Sequence, residues 1–332
     1  MGTVYVKEQG AVVRRNGERL RVTRRKEELS SVPLVNLDQL ALMGNIQLTT
    51  PAAALLLERG VDVVFLSKYG KFRGRLMRSG SKFAQLRRRQ LEMSMDEQIA
   101  LAIARPIVVA KIRNQRVVLQ RRVERVPGAR RALKGMMRMS QRAERAHTLD
   151  TLRGFEGKAG AFYFEAVRAL LPATWGFEKR AYHPPPDPAN SLLSFGYTLL
   201  LKDVTAAIHR VGLDPYLGFF HALARDRPAL ALDLMEEFRP VIVDSMFLEI
   251  VARNQLRPQD FERSRNPRRP CQLGDAGVRV VLEQYEQRLQ ANLFHPLAGG
   301  ETSYRRAVEL QARQMARVVR GEDSAYQPLR IR

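Results

Sequence analysis

The spacing of apolar positions changes near residue 79. Before it, apolar and polar side chains alternate in short runs; after it, apolar side chains return every three or four residues over long stretches. A period of two predicts strands, and a period near 3.6 predicts helices. "VYVKEQGAVVRRNGERLRVTRR" alternates on both sides of Asn16-Gly17, a dipeptide that accepts the two positive φ values of a type I′ hairpin turn. "VPLVNLDQLALMG" and "VDVVFLSKYGKFRGRL" continue as short β-type runs. Between them, "TTPAAALLLERG" predicts one helix, with Thr50 as its cap, Pro51 in the first helical position and Gly60 just past the end.

Beyond residue 79, "DEQIALAIARPIVVAKIRNQRVVLQRRV" predicts a long helix that Pro106 should kink or interrupt. In "TLRGFEGKAG" an apolar helical run begins after Gly157, which places Glu156 in a first turn, where a carboxylate offsets the positive end of the helix dipole. "YHPPPDPAN" reads as a stiff loop, with Asn190 or Ser191 capping a helix that stops at Gly212. Asp214-Pro215 then opens a helix with His221 at its end, and Arg227-Pro228 restarts one that carries Asp233 and Glu236 on a shared face. The expected class is therefore α+β: a small β-rich domain over 1–78, a linker over 79–86, and a larger all-helical domain over 87–332. A chain of 332 residues is also longer than one hydrophobic core usually serves.

Charge narrows the range of partners. Fifty-six Lys and Arg against 34 Asp and Glu give a net charge of +22, a field that favours polyanions, with nucleic acid ahead of an anionic membrane. Residues 71–90 hold eight Lys or Arg and no acid; residues 111–145 hold twelve, against Glu124 and Glu144. One such run is usually a solvated helix face, but two in succession suggest a phosphate-binding track. The single cysteine, Cys271, excludes an intrachain disulfide and a thiolate metal cluster, and fits a reducing cytoplasm. No apolar run is expected to cross a membrane, and no glycine loop of the Walker type is present.

The candidate chemistry is dispersed. His221 stands 65 residues after Glu156, and Glu236 another 15 further on, so only a fold could bring them together. Singly, each has an ordinary reading: a histidine after "YLGFF" as a core residue, paired acids on a helix as partners for Arg239. From the residues alone, the reading is a basic two-domain nucleic-acid-binding protein, with or without a carboxylate and imidazole metal site.

Several blocks in unbroken order, "RNGERLRV", "KIRNQRVVL", "LRGFEGKAGAFYF", "NSLLSFGYTLL" and "GLDPYLGFFHALARDRPALALDLMEEFRPVIVD", resemble the CRISPR-associated protein 1 family, the adaptation integrase, over nearly the whole chain. The resemblance implies a homodimer joined through the β domains, with CRISPR-associated protein 2 as a bridge between dimers. It implies one divalent ion, Mn²⁺ or Mg²⁺, held by Glu156, His221 and Glu236, with Asp233 one turn earlier as a nearby acid. Some members carry Asp where this chain has Glu236. Oxygen and imidazole donors suit those ions. The implied reaction is attack by a DNA 3′-OH on the repeat array, with double-stranded and branched DNA as substrates and no nucleotide cofactor. Lys111, Asn114, Gln115, Asn190, Tyr197 and Tyr216 match blocks near the family site, as contacts to DNA or to the residues around the metal ligands, and Arg87, Arg88, Arg89, Arg121, Arg122, Arg130 and Arg131 are candidates for the DNA backbone. Gly154 and Gly157 would let backbone and substrate approach closely. The competing expectations are a non-catalytic basic scaffold and a general metal-dependent nuclease.

Overall fold

The computed structural model describes residues 2–70, 72–77, 83–122, 129–181, 184–267 and 270–331. The chain divides into two compact units, Met1–Ser81 and Lys82–Arg332. Part of the expected 79–86 linker, residues 79–82, lies outside the described residues, and helix begins at Ala84.

The first unit is built of β1 (Gly2–Val6), β2 (Val12–Asn16), β3 (Arg19–Arg24), β4 (Glu27–Pro33), β5 (Leu37–Met43), β6 (Gln47–Leu48), α1 (Thr50–Glu58), β7 (Asp62–Leu66) and β8 (Phe72–Leu76). Two four-stranded sheets form, ordered β4-β3-β2-β6 and β1-β5-β7-β8. β3 alternates as its sequence predicts, with Leu20 and Val22 buried and Arg19 and Arg21 exposed. β5 lies between parallel partners β1 and β7, and its residues 39–43 are all buried, as a strand covered on both faces must be. The hairpin stands, but with a different turn. Asn16 closes the ladder opposite Arg19, and of the turn residues only Gly17 has a positive φ, the requirement of a type II′ rather than a type I′ turn. The α1 cap is likewise Thr49 rather than Thr50.

The second unit is mainly helical: α2 (Ala84–Met95), α3 (Glu97–Gln120), α4 (Ala129–Glu144), α5 (Leu149–Leu170), α6 (Pro188–Val211), α7 (Ala229–Phe238), α8 (Ser245–Ala252), α9 (Asp275–Gln290) and α10 (Tyr304–Arg320). Two short antiparallel ladders complete it, β9 (Phe261–Arg263) with β10 (Cys271–Leu273), and β11 (Asn292–His295) with β12 (Gly300–Ser303). α3 packs against α4, α5 and α7 and runs through Pro106 without a break. Asp96 starts it by accepting from the amides of Gln98 and Ile99.

Three other expectations change. Thr148 caps α5 well before Gly157, so Glu156 sits two turns inside the helix and the dipole argument for it fails. α6 is capped by Asp187, whose carboxylate accepts from the Asn190 amide, and so it begins within the proline-rich stretch. Pro188 is tolerated there because a first-turn residue has no helical acceptor for its missing N–H. The segment 213–228 forms turns rather than a helix ending at His221. α6 is also long and apolar enough to cross a membrane by length and composition, which the sequence reading did not foresee; 72% of that window is buried inside the unit, as in a central core helix.

Candidate active site

α7 does not end cleanly. Residues Arg239–Asp244 widen into a π-helical turn before α8 resumes. Pro240, in the first positions of that turn, fits it: its missing N–H leaves a carbonyl one turn back without a helical donor, and the wider turn relieves the clash of its ring. The wide turn brings Arg239 toward Glu236, with Nη2 3.6 Å from Oε1. It also places Asp244, buried, to accept from the hydroxyls of Tyr163 (2.9 Å) and Tyr197 (2.5 Å). Burial pushes the Asp244 carboxyl up to about 6, against the pull of those hydroxyls.

Glu156, Lys111 and Glu236 converge from α5, α3 and α7. The Lys111 ammonium, almost buried, hydrogen-bonds to Glu156 Oε1 and stands 2.5 Å from Glu236 Oε2. Burial opposes charge on both Lys111 and Glu236, but their surroundings outweigh it. Glu156 and Glu236 lift the lysine above its ordinary value, while Arg239 and Lys111 hold Glu236 down at about 2.

His221 is fixed from behind. Asp233, with no exposed surface, accepts from the amides of Phe219 (2.6 Å), Phe220 (3.0 Å) and His221 (2.9 Å), and its Oδ1 also lies 2.7 Å from His221 Nδ1. Such wrapping requires the loop to lie directly on α7. Gly218 permits this: a Cβ there would fall 2.6 Å from the Ala229 backbone and 2.8 Å from Asp233 Oδ2. With Nδ1 engaged, Nε2 is the nitrogen left to face Glu236, 3.7 Å from Oε1. Arg153, one turn before Glu156, donates to the Phe220 carbonyl at 2.9 Å and ties α5 to the same loop.

The three residues expected to hold a metal are thus brought together, with Asp233 orienting the histidine. Among the described residues, no three His, Cys, Asp or Glu side chains are set to share one ion. An ammonium instead lies between two of them. Two carboxylates around a cation, with an oriented imidazole beside them, are the donor chemistry of Mn²⁺ or Mg²⁺. Glu156, Glu236 and His221 would hold such an ion.

The residues expected to contact DNA divide. Asn114 is fully buried and spends its amide on the carbonyls of Glu237 and Leu329 and on the Ile331 amide. Asn190 is buried in the Asp187 cap and accepts from Arg180, and the Tyr197 hydroxyl serves Asp244. Gln115 is also buried, and Lys111 is held by the carboxylates. These five are internal, so Lys111, Asn114 and Gln115 of the motif "KIRNQ" build the interior, while its Arg113 pairs with Glu144 at the surface. Arg87 and Arg89 donate to the carbonyls of Gly212 and Arg320, Arg88 pairs with Glu92, and Arg122 is half-buried beside Ser245. Arg121, Arg130, Arg131 and Tyr216 are exposed. A feature not anticipated is a groove of about 470 Å³ between α4 and α5, with Arg138, Arg142 and Lys158 beside Phe155 and Phe162. Its signal was present in the cations spaced along one side of α4. Gly154 and Gly157 are ordinary helical residues with nothing within 4 Å of an added Cβ, so this side of α5 is bare.

The sequence profile described as CRISPR associated protein Cas1 matches residues 4–287. A Thermus thermophilus protein named CRISPR-associated endonuclease Cas1 3 is 37% identical over all of this chain and 98% of its own length. The structure of a Cas1 protein from Thermotoga maritima superimposes with a TM-score of 0.83 at 25% identity, covering 98% of this chain and 99% of that one. A chain of a Cas6-RT-Cas1–Cas2 complex gives a TM-score of 0.85 at 25% identity, over 98% of this chain and 36% of that one. The chain belongs to the CRISPR-associated protein Cas1 family.

Proposed function

We propose that this protein is a metal-dependent DNA integrase and endonuclease of CRISPR adaptation, which inserts captured DNA fragments into a repeat array by transesterification from a DNA 3′-OH. The observation that carries this reading is that Glu156 and Glu236, far apart in the chain, meet on the Lys111 ammonium, with the His221 imidazole beside Glu236. A bound Mn²⁺ or Mg²⁺ would polarise the scissile phosphate and stabilise the oxygen that attacks or leaves. Glu156 and Glu236 supply the negative charge for the ion, and Asp233 keeps the His221 ring in one orientation and one tautomer. The exposed cations of α4 suit the backbone of double-stranded and branched DNA. A homodimer bridged by CRISPR-associated protein 2 belongs to the same reading. It is supported by family membership and by the likeness to a chain of a complex that contains Cas2.

The test is strand transfer on a branched DNA that mimics a half-integrated product, with wild type and Glu156→Ala, each in Mn²⁺ and in EDTA. Joining that needs the ion and disappears in the variant is expected. Cutting of arbitrary DNA without a joined product would replace the integrase with a general nuclease. DNA binding without any metal-dependent chemistry in either protein would reduce it to a basic scaffold.

A further inference from the structure

The Lys111 ammonium lies between the two carboxylates that the metal-site reading requires, and it is held there by more than chance proximity. Its side chain is 11% exposed, its aliphatic stem lies on the buried face of α3, and its neighbours Ala110 and Ile112 are both fully buried. α3 packs against both α5 and α7, the helices that carry Glu156 and Glu236, so the lysine is aimed into the gap between them. The buried Glu236 carboxylate and the partly buried Glu156 carboxylate would repel each other without a cation, and the buried ammonium would be destabilised without an anion. The three groups therefore stabilise one another in the absence of metal.

We infer that Lys111 is a resident counter-cation that a divalent ion must displace, so that loading of this site is an exchange of one cation for another. This rests on the metal-site reading above and adds a property to it. The lysine keeps the carboxylates together and ready, and it weakens the apparent affinity for the ion because its own contacts are given up on loading. No covalent step or change of protonation is involved; the ammonium moves away with its protons.

The test is Mn²⁺ binding to the full-length protein without DNA, read by the loss of the free-ion electron paramagnetic resonance signal. The proteins compared are wild type, Lys111→Met, Lys111→Arg and Glu156→Gln, with circular dichroism to verify each fold. Lys111→Met should bind Mn²⁺ at least about tenfold more tightly than wild type, because removing a unit charge a few ångströms from the ion removes a strong repulsion. It should also melt at a lower temperature in EDTA and gain more from added Mn²⁺. Lys111→Arg keeps the charge and should stay within about threefold of wild type, which separates the effect of charge from that of altered packing. A folded Lys111→Met that binds Mn²⁺ no tighter than wild type would overturn the inference while leaving the metal site in place, provided Glu156→Gln loses binding. If Lys111→Met does not fold, a Lys111→Arg variant that binds tenfold more tightly than wild type would overturn it equally, and one within threefold would support it. Failure of every protein to take up Mn²⁺, or equal uptake by Glu156→Gln and wild type, would overturn the metal site and the inference with it.

Discussion

Glu236 and Glu237 are consecutive on α7 and both are buried, yet their surroundings shift them in opposite directions, Glu236 toward the ionised form and Glu237 toward the neutral one. Burial raises the pKa of each. Around Glu236 the charges of Arg239 and Lys111 outweigh burial and leave it at about 2. Glu237 has neutral donors only, the Tyr326 hydroxyl, the Leu329 amide and the Gln311 side chain, and burial pushes it up to about 8. A fully buried carboxylate is thus ionised or neutral according to what its oxygens face. The chain uses the first as a charged ligand candidate and the second to fasten residues 326–329.

The largest contrast comes from neutralising each in turn. Glu236→Gln should abolish metal-dependent DNA joining and lower stability by about 3 kcal/mol, since it leaves buried cations short of an anion. Glu237→Gln should change joining little and stability at pH 7 by no more than about 1.5 kcal/mol, since it replaces one neutral group by another. Equal losses from the two, in urea unfolding and in strand transfer, would erase the distinction.

The next contrast is in pH. A folded value near 8 against an ordinary 4.5 means that the native state keeps a proton on Glu237 that the unfolded chain has released. Its contribution is therefore complete below pH 4.5 and is lost as pH rises through 8, at up to about 1.4 kcal/mol per unit. Glu236 behaves in the reverse way: its contribution is present above pH 4.5 and is lost as pH falls toward 2. Urea unfolding between pH 5 and 8 should show wild type losing its advantage over Glu237→Gln as pH rises; parallel profiles would contradict the assignment.

Smaller effects follow. Tyr326→Phe removes one buried donor to Glu237 and should cost about 1–2 kcal/mol. Hydrogen exchange at the Leu329 amide should accelerate, whereas exchange in the His221 loop should not. Smallest is Gly154→Ala with Gly157→Ala, each expected to stabilise α5 by about 0.5–1 kcal/mol, because an added methyl meets nothing and the unfolded chain loses freedom. If the bare side of α5 admits substrate, the more stable double variant joins DNA more slowly; unchanged joining would assign the glycines no role in access.

The change from period two to period 3.6 was legible, as were the hairpin and the stop of α6 at Gly212, because these are local properties. Glu156, His221 and Glu236 were identified through a family resemblance; the residues themselves gave only three scattered polar groups. Glu156 was misplaced by two turns because "RGFEGKAG" contains three glycines and does not look like helix interior, whereas packing of Leu152, Ala159 and Tyr163 overrides their propensity. Lys111 was read as a contact either to DNA or to the residues around the metal ligands, and in the structure it lies against Glu156 and Glu236, the ion pair that a lysine on the apolar side of a helix requires. Asn114, one turn later, carried the same reading, and its amide is taken up by the backbone at Glu237, Leu329 and Ile331. Their partners lie 45 to 217 residues away and leave no local trace.

The clamp on Glu237 also sets an order of assembly. Its donors at Tyr326 and Leu329 stand 89 and 92 residues downstream. During synthesis α7 leaves the ribosome long before them, so Glu237 has neither donor until the later segment has emerged. The seat of Glu237 is therefore completed late in translation, whereas Lys111, His221 and Arg239, which face Glu236, emerge together with α7 or before it.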